Sequence, residues 1–138
     1  MIVVHHPCIH TADPEKGREF YETLGLSFNR TVRVVRDQGR PREATEDEIP
    51  GVTNYWFGIG DNPSVLELMH EHDGRAFEPA GHVGIVVDDL DATLDRLGKR
   101  SFDDVVNRPY QPMLGGGTII AFVRDPDGNL IELSAGRE

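Results

Sequence analysis

The chain repeats itself, and the repeat limits what it can fold into. His6 stands seven positions before Asp13, a stretch of helical spacing closes at Leu24-Gly25, and an apolar run ends in Val65-Leu66-Glu67-Leu68. His82 likewise stands seven positions before Asp89, a second helical stretch closes at Leu97-Gly98, and a second apolar run ends in Leu130-Ile131-Glu132-Leu133. Each half therefore opens on a histidine and closes on a glutamate set inside an apolar strand. Neither half can bury an apolar sheet face by itself, so the repeat predicts two small curved sheets that share one body. A chain of 138 residues supplies one real hydrophobic core. We expect a single domain over 1–138, with module one at about 1–73 and module two at about 80–138.

Local signals give both modules the order β-α-β-β-β. Ile2 to His10 alternates like a strand, and Thr11-Ala12-Asp13-Pro14 offers a helix N-cap followed by proline at the first helical position. Phe20, Tyr21 and Leu24 recur at helical spacing before Gly25, and Ser27 to Val35 reads as the next strand. Arg36 to Pro50 is polar, carries charges of both signs and holds two prolines, which predicts a mobile loop. Val52 to Ile59 and Ser64 to His70 flank the hairpin turn Gly60-Asp61-Asn62-Pro63. After a linker at Asp73 to Ala80, the pattern returns. Gly81 to Val87 is a strand, Asp88-Asp89 caps a helix bearing Leu90, Leu94 and Leu97, and Phe102 to Asn107 is a short strand. Thr118 to Val123 and Leu130 to Ser134 flank the turn Asp125-Pro126-Asp127-Gly128-Asn129. The fold class is α+β.

Charge and cysteine content exclude several roles. Fourteen basic against 24 acidic residues give a net charge of −10, so nucleic acid and anionic membrane surfaces are not expected partners. Cys8 is the single cysteine and cannot form an intrachain disulfide, which suits a reducing cytoplasm. No run reaches membrane-spanning length and the N-terminal residues lack a basic segment, apolar core and cleavage site, so we expect a soluble, untargeted cytoplasmic protein.

Strand alternation turns the two His/Glu signals into a geometry. Glu67 and Met69 face away from Leu66, Leu68 and His70, and Glu132 faces away from Ile131 and Leu133. A carboxylate inside an apolar strand needs a cation, a metal or water, because burying it alone is strongly unfavourable. A histidine opposite each glutamate favours the metal. His6 is preferred to His5 because only His6 shares the seven-residue offset of His82. Taken singly, each residue has a plainer reading: a lone histidine is more often structural, and Glu67 or Glu132 would serve as an outward charge on an edge strand. The repetition of the whole set outweighs those readings. Cys8 and His10 share the parity of His6; Cys8 is read as a small core residue and His10 as a candidate for substrate binding. Tyr55-Trp56-Phe57 is read as core, although the alternating member of the trio could face the cavity, and Gly115-Gly116-Gly117 as a flexible rim, since it lacks the lysine and following helix of a phosphate loop.

The stretch Gly116 to Leu133, with its Asp-Pro-Asp-Gly turn and Leu-Ile-Glu-Leu strand, resembles the vicinal oxygen chelate superfamily, as do Gly81-His82-Val83-Gly84-Ile85 and Phe20-Tyr21-Glu22-Thr23-Leu24-Gly25-Leu26. Within that superfamily the chain is most similar to glyoxalase I enzymes. The resemblance implies two βαβββ modules forming a curved mixed sheet around a metal cavity. It also implies a divalent ion, nickel or zinc, held by His6, Glu67, His82 and Glu132. The implied reaction converts the hemithioacetal of a 2-oxoaldehyde and a small thiol such as glutathione into a 2-hydroxyacyl thioester through a metal-stabilised enediolate. Glu132 would act as the base and Glu67 as its partner on the opposite side. His10 and Glu71 stand near positions where glyoxalase I commonly has an arginine and an asparagine for glutathione, and these departures point toward another thiol or substrate. An acyl-CoA epimerase is the competing enzyme, and an extradiol-type dioxygenase is disfavoured by the second glutamate. A non-catalytic drug-binding protein of the bleomycin-resistance kind is the alternative from another class. By analogy we expect a homodimer, with the site either within one chain or across the two.

Overall fold

The computed structural model describes residues 6–37, 40–73, 82–110 and 117–136. The expected strand residues Ile2 to His5, the linker 74–80 and the rim residues Gly115 and Gly116 lie outside the described residues. Module one comprises β1 (Cys8–His10), α1 (Pro14–Leu24), β2 (Ser27–Asp37), β3 (Arg40–Glu43), β4 (Val52–Ile59) and β5 (Asn62–Glu71). Module two comprises β6 (His82–Val86), α2 (Leu90–Lys99), β7 (Val105–Tyr110), β8 (Thr118–Arg124) and β9 (Leu130–Gly136). The strands form a five-stranded sheet, β1-β5-β4-β2-β3, and a four-stranded sheet, β6-β9-β8-β7. In each sheet the first strand pairs parallel to the last and the other pairings are antiparallel. The architecture is the expected α+β pairing of repeated modules.

Both helices start as their caps dictate. The Asp13 carboxylate accepts from the Lys16 amide at 3.1 Å and the Asp89 carboxylate from the Ala92 amide at 2.9 Å. The two helices end differently. Gly25 takes φ 111° and its amide donates to the carbonyls of Tyr21 and Glu22, the left-handed close that glycine permits without steric cost. In module two the matching glycine, Gly98, stays inside the helix, which runs on to Lys99. The left-handed residue there is Ser101, at φ 64°. The segment 36–50 also departs from expectation. Its first part is strand, with β2 extending to Asp37 and β3 folding back on it so that Val34 lies opposite Glu43, while 44–50 is the loop expected. The Arg42 guanidinium grips both oxygens of Glu48, at 2.8 and 2.6 Å, and Arg33 donates to the Glu48 carbonyl, so the charges serve to close a hairpin.

One core joins the two modules. Phe20, Tyr21 and Leu24 of α1 and Leu90 and Leu97 of α2 pack with Phe57, Leu66 and Leu68 from the larger sheet and Ala121, Val123, Ile131 and Leu133 from the smaller. The helices also touch each other, so each sheet turns one face toward the helices and leaves the other uncovered by them. No described helix is long and apolar enough to cross a membrane.

A clamp of hydrogen bonds reinforces that core. The turn after β8 reaches into module one: Tyr21 Oη donates to Asp125 at 2.8 Å, Thr11 Oγ1 donates to Asp127 at 2.6 Å, the Ala12 amide donates to the other Asp127 oxygen, and Asn129 Nδ2 donates to the His10 carbonyl at 3.0 Å. Burial first, then the charge of Asp125, pushes the Tyr21 hydroxyl well above its usual range, so it stays a donor at any working pH.

Two substitutions test this account. Asp127→Ala strips the carboxylate from a buried Thr11 hydroxyl and should cost about 2 kcal/mol in urea unfolding, with Asp127→Asn recovering part of the loss. Ser101→Gly relieves a left-handed non-glycine residue and should raise stability by about 1 kcal/mol, seen as a melting point higher by about 2–4 °C.

Candidate metal centre

The strands that carry the two glutamates are apolar on one side because that side meets the helices. Leu66 and Leu68 of β5, and Ile131 and Leu133 of β9, lie in the core, so the alternation of the strand turns Glu67 and Glu132 to the face that no helix covers. Each carboxylate meets the histidine that opens its module. His6 Nε2 lies 2.9 Å from Glu67 Oε2, and His82 Nε2 lies 3.0 Å from Glu132 Oε2. The structure thus joins the four residues two by two, one pair on each sheet. Among the described residues no group of three or more His, Cys, Asp or Glu gathers within reach of one ion.

The donor set fits a divalent metal. Two ligands at right angles, each about 2.1 Å from a common ion, are about 3.0 Å apart, whereas tetrahedral ligands are about 3.4 Å apart. The observed separations correspond to one edge of an octahedron, and imidazole and carboxylate are competent donors to several divalent ions. Without a metal the same contacts are charge-assisted hydrogen bonds.

The pairs differ in their surroundings. The side chains of His6 and Glu67 are 19% and 10% exposed, against 47% and 28% for His82 and Glu132. The cause lies in the row of residues that crosses each sheet at the glutamate. In the larger sheet the row reads Arg30, Trp56, Glu67, Cys8; in the smaller it reads Asn107, Phe122, Glu132, Gly84. A histidine ring meets the aromatic ring edge-on in both, with centroids 4.4 Å apart for His6 and Trp56 and 5.6 Å for His82 and Phe122. Indole packs closer than phenyl, and glycine replaces cysteine beside Glu132, so the second pair is more open to water.

Trp56 is the alternating aromatic that sequence reasoning allowed to face the cavity but left out of the site. Tyr55 and Phe57 do pack against the core, but Trp56 has the opposite parity and faces Glu67. Counting outward from the turn, where Ile59 pairs with Asn62, would put Asn54 opposite Glu67; an irregularity between Phe57 and Ile59 moves the register by two and brings Trp56 there instead. Gly58 allows it, since a Cβ at that position would fall on the Asn62 carbonyl oxygen and 2.9 Å from Pro63 Cα. A glycine in an otherwise apolar strand was the available signal.

Cys8 is not the core residue expected from its type, because its register with Glu67 puts it on the helix-free face. Loss of hydration, then the charge of Glu67, pushes its thiol up to about 11, so it remains protonated. His10 lies one step further along the same face, in register with Met69.

Comparison with known proteins identifies the family of this fold. Residues 3–133 match the model of the Glyoxalase/Bleomycin resistance protein/Dioxygenase superfamily. The chain is 34% identical over 134 residues to a probable lactoylglutathione lyase of Vibrio cholerae, spanning 93% of this chain and 86% of that one. It is 35% identical over 133 residues to a lactoylglutathione lyase of Neisseria meningitidis, spanning 92% and 86%. Among solved structures, glyoxalase I from Zea mays superposes with a TM-score of 0.70 at 25% identity, over 96% of this chain and 44% of the maize chain. A glyoxalase family protein from Bacillus cereus superposes with a TM-score of 0.76 at 16% identity, over 100% and 96% of the two chains, which speaks for the fold alone. With one βαβββ module, another that adds the β3 strand to the same order, a histidine and glutamate paired on each sheet, and these relatives, the chain belongs to the glyoxalase/bleomycin resistance protein/dioxygenase superfamily, as an enzyme of the glyoxalase I kind.

Proposed function

We propose that the chain isomerises the hemithioacetal of a 2-oxoaldehyde and a small thiol, such as glutathione, to a 2-hydroxyacyl thioester, with His6, Glu67, His82 and Glu132 holding a divalent ion, nickel or zinc. The observation that carries this reading is that each sheet pairs a histidine Nε2 with a glutamate Oε2, at 2.9 and 3.0 Å, a repeated donor set competent for a divalent ion. When bound, the ion supplies a Lewis acid that eases removal of a carbon-bound proton at neutral pH. A reducing cytoplasm suits both the thiol co-substrate and the single Cys8.

The four ligands belong to two pairs on different sheets, and the simplest way to complete the set is a symmetric homodimer. The His6–Glu67 pair of one protomer would then face the partner's His82–Glu132 pair, giving two equivalent sites per dimer. Each sheet has a face that no helix covers, which supports such an arrangement.

Glu132 is the better base of the two carboxylates. Its side chain is the more exposed, 28% against 10% for Glu67, and its histidine is less enclosed, so it is freer to swing between ligand and proton acceptor. It takes the proton from the carbon that bears sulfur, and the adjacent carbonyl carbon gains one. The hydroxyl oxygen on the first carbon becomes the thioester carbonyl and the former carbonyl oxygen becomes the product hydroxyl, so the conversion is a redox-neutral isomerisation. Glu67, drier and held by His6, keeps its place. His10, further along the same face, would meet the distal part of the thiol.

Two measurements decide the matter. Glu132→Gln should retain metal by elemental analysis yet lose about a hundred- to ten-thousand-fold in kcat/KM for thioester formation from methylglyoxal and glutathione; near-normal turnover would remove Glu132 from the role. Wild-type protein that holds no metal and turns nothing over would favour the drug-binding alternative. The second measurement mixes inactive His6→Ala and Glu132→Gln chains by unfolding and co-refolding. A site shared across the dimer gives mixed dimers one intact centre, and activity should return to about a quarter of wild type; a mixture that stays inactive would confine each site to one chain.

A further inference from the structure

We propose that Trp56 is a positioning residue for the first half of the metal centre, setting the His6 imidazole against Glu67 before any ion arrives. The inference rests on the metal reading above and adds a residue to it. Trp56 lies in β4 between Tyr55 and Phe57, which both turn toward the core, while its own side chain lies on the helix-free face. A tryptophan on that face makes no contribution to the core. Its neighbours across the sheet are Glu67 on one side and Arg30 on the other, the guanidinium carbon lying 5.8 Å from the ring centroid. His6 stands edge-on to the indole at 4.4 Å, with the planes 72° apart.

The polar atom of the ring shows that packing keeps it there. Trp56 Nε1 is buried and has no hydrogen-bond partner among the described residues, although a buried indole N–H ordinarily finds an acceptor. A leucine at this position would avoid that cost. What the tryptophan offers in return is breadth, which walls off His6 and Glu67, and the first pair is the drier of the two. The backbone is shaped for the same end: Gly58 lets the hairpin slip by two residues, and that slip puts Trp56 rather than Asn54 opposite Glu67. Histidine ligands depend on neighbours that fix the ring, and removal of such a neighbour typically weakens metal affinity about ten- to a hundredfold.

Trp56 is the sole tryptophan of the chain, so the residue reports on its own site. The test compares wild type with Trp56→Leu and Trp56→Phe by two readouts. The first is nickel and zinc affinity by competition with a chelator, with indole fluorescence followed in the wild type. The second is the ring proton shifts of metal-free His6 by NMR, assigned with His6→Ala. We expect the indole emission to change on metal addition. Affinity should fall about ten- to a hundredfold in Trp56→Leu and recover substantially in Trp56→Phe, and the metal-free His6 ring resonances should broaden or split in Trp56→Leu as the ring loses its single orientation. Wild-type affinity in Trp56→Leu overturns the positioning role while leaving the metal reading intact. A wild type that binds neither ion sinks the metal reading instead, and the NMR arm then decides alone: one sharp His6 state in Trp56→Leu overturns the proposal, and loss of that state upholds it. Both variants leave the core face of β4 untouched, and a common melting point establishes that they are folded.

Discussion

A carboxylate in the middle of an apolar strand is the constraint around which this molecule is arranged. Glu67 is 7% exposed between Leu66 and Leu68, and leaving it ionised and alone in that setting would cost several kcal/mol. Its partner has to come from another strand, because its own neighbours are apolar. The parallel pairing of β1 with β5 supplies one: it lays the N-terminal segment beside β5, and His6 Nε2 reaches the carboxylate. Module two solves the same problem in the same way, with β6 parallel to β9 and His82 on Glu132. The first-to-last parallel pairing in each sheet is thus tied to the placement of charge as well as to the burial of leucines.

The modules have also diverged, and the divergence follows their separate tasks. The turn after β8 carries Asp125, Asp127 and Asn129 and bonds to Thr11, Ala12, Tyr21 and the His10 carbonyl, so module two holds the start of module one in place. The turn between β4 and β5 is short, and its Asn62 is spent on the Ser64 amide. One turn became a tie between modules and the other a register device. The anchored segment, Thr11 and Ala12, follows directly on β1, so the tie also steadies the strand that leads back to His6.

Much of this was legible in the residues. The repeat, the α+β order, the caps at Asp13 and Asp89 and the facing of Glu67 and Glu132 all follow from periodicity, because alternation fixes faces wherever one side of a strand is buried. Three features were hidden for physical reasons. Gly98 looked like the counterpart of Gly25, yet the helix outlasts it and Ser101 makes the left-handed turn; a glycine signals permission for that conformation, not its use. The charged segment 36–50 read as a loop because its polarity hides the cross-strand pairing of β2 and β3, which the Arg42–Glu48 contact helps to close. The place of Trp56 opposite Glu67 was hidden because parity survives a slip of two residues but the identity of the neighbour does not.

That slip bears on the division of labour in the proposed centre. If both halves were equally enclosed, neither glutamate would be better suited to leave its ligand position and accept a proton. The indole beside Glu67 and the more distant phenyl beside Glu132 break the symmetry that the repeat imposes. One pair is dry and close-packed, which favours holding an ion; the other is wetter and looser, which favours movement. A fold made of two copies of one unit tends to give equivalent sites, whereas the roles proposed for the two glutamates, one holding an ion and the other moving a proton, are inequivalent. Here the inequivalence traces to Trp56 against Phe122, to Cys8 against Gly84, and to the Gly58 that brings the indole opposite Glu67.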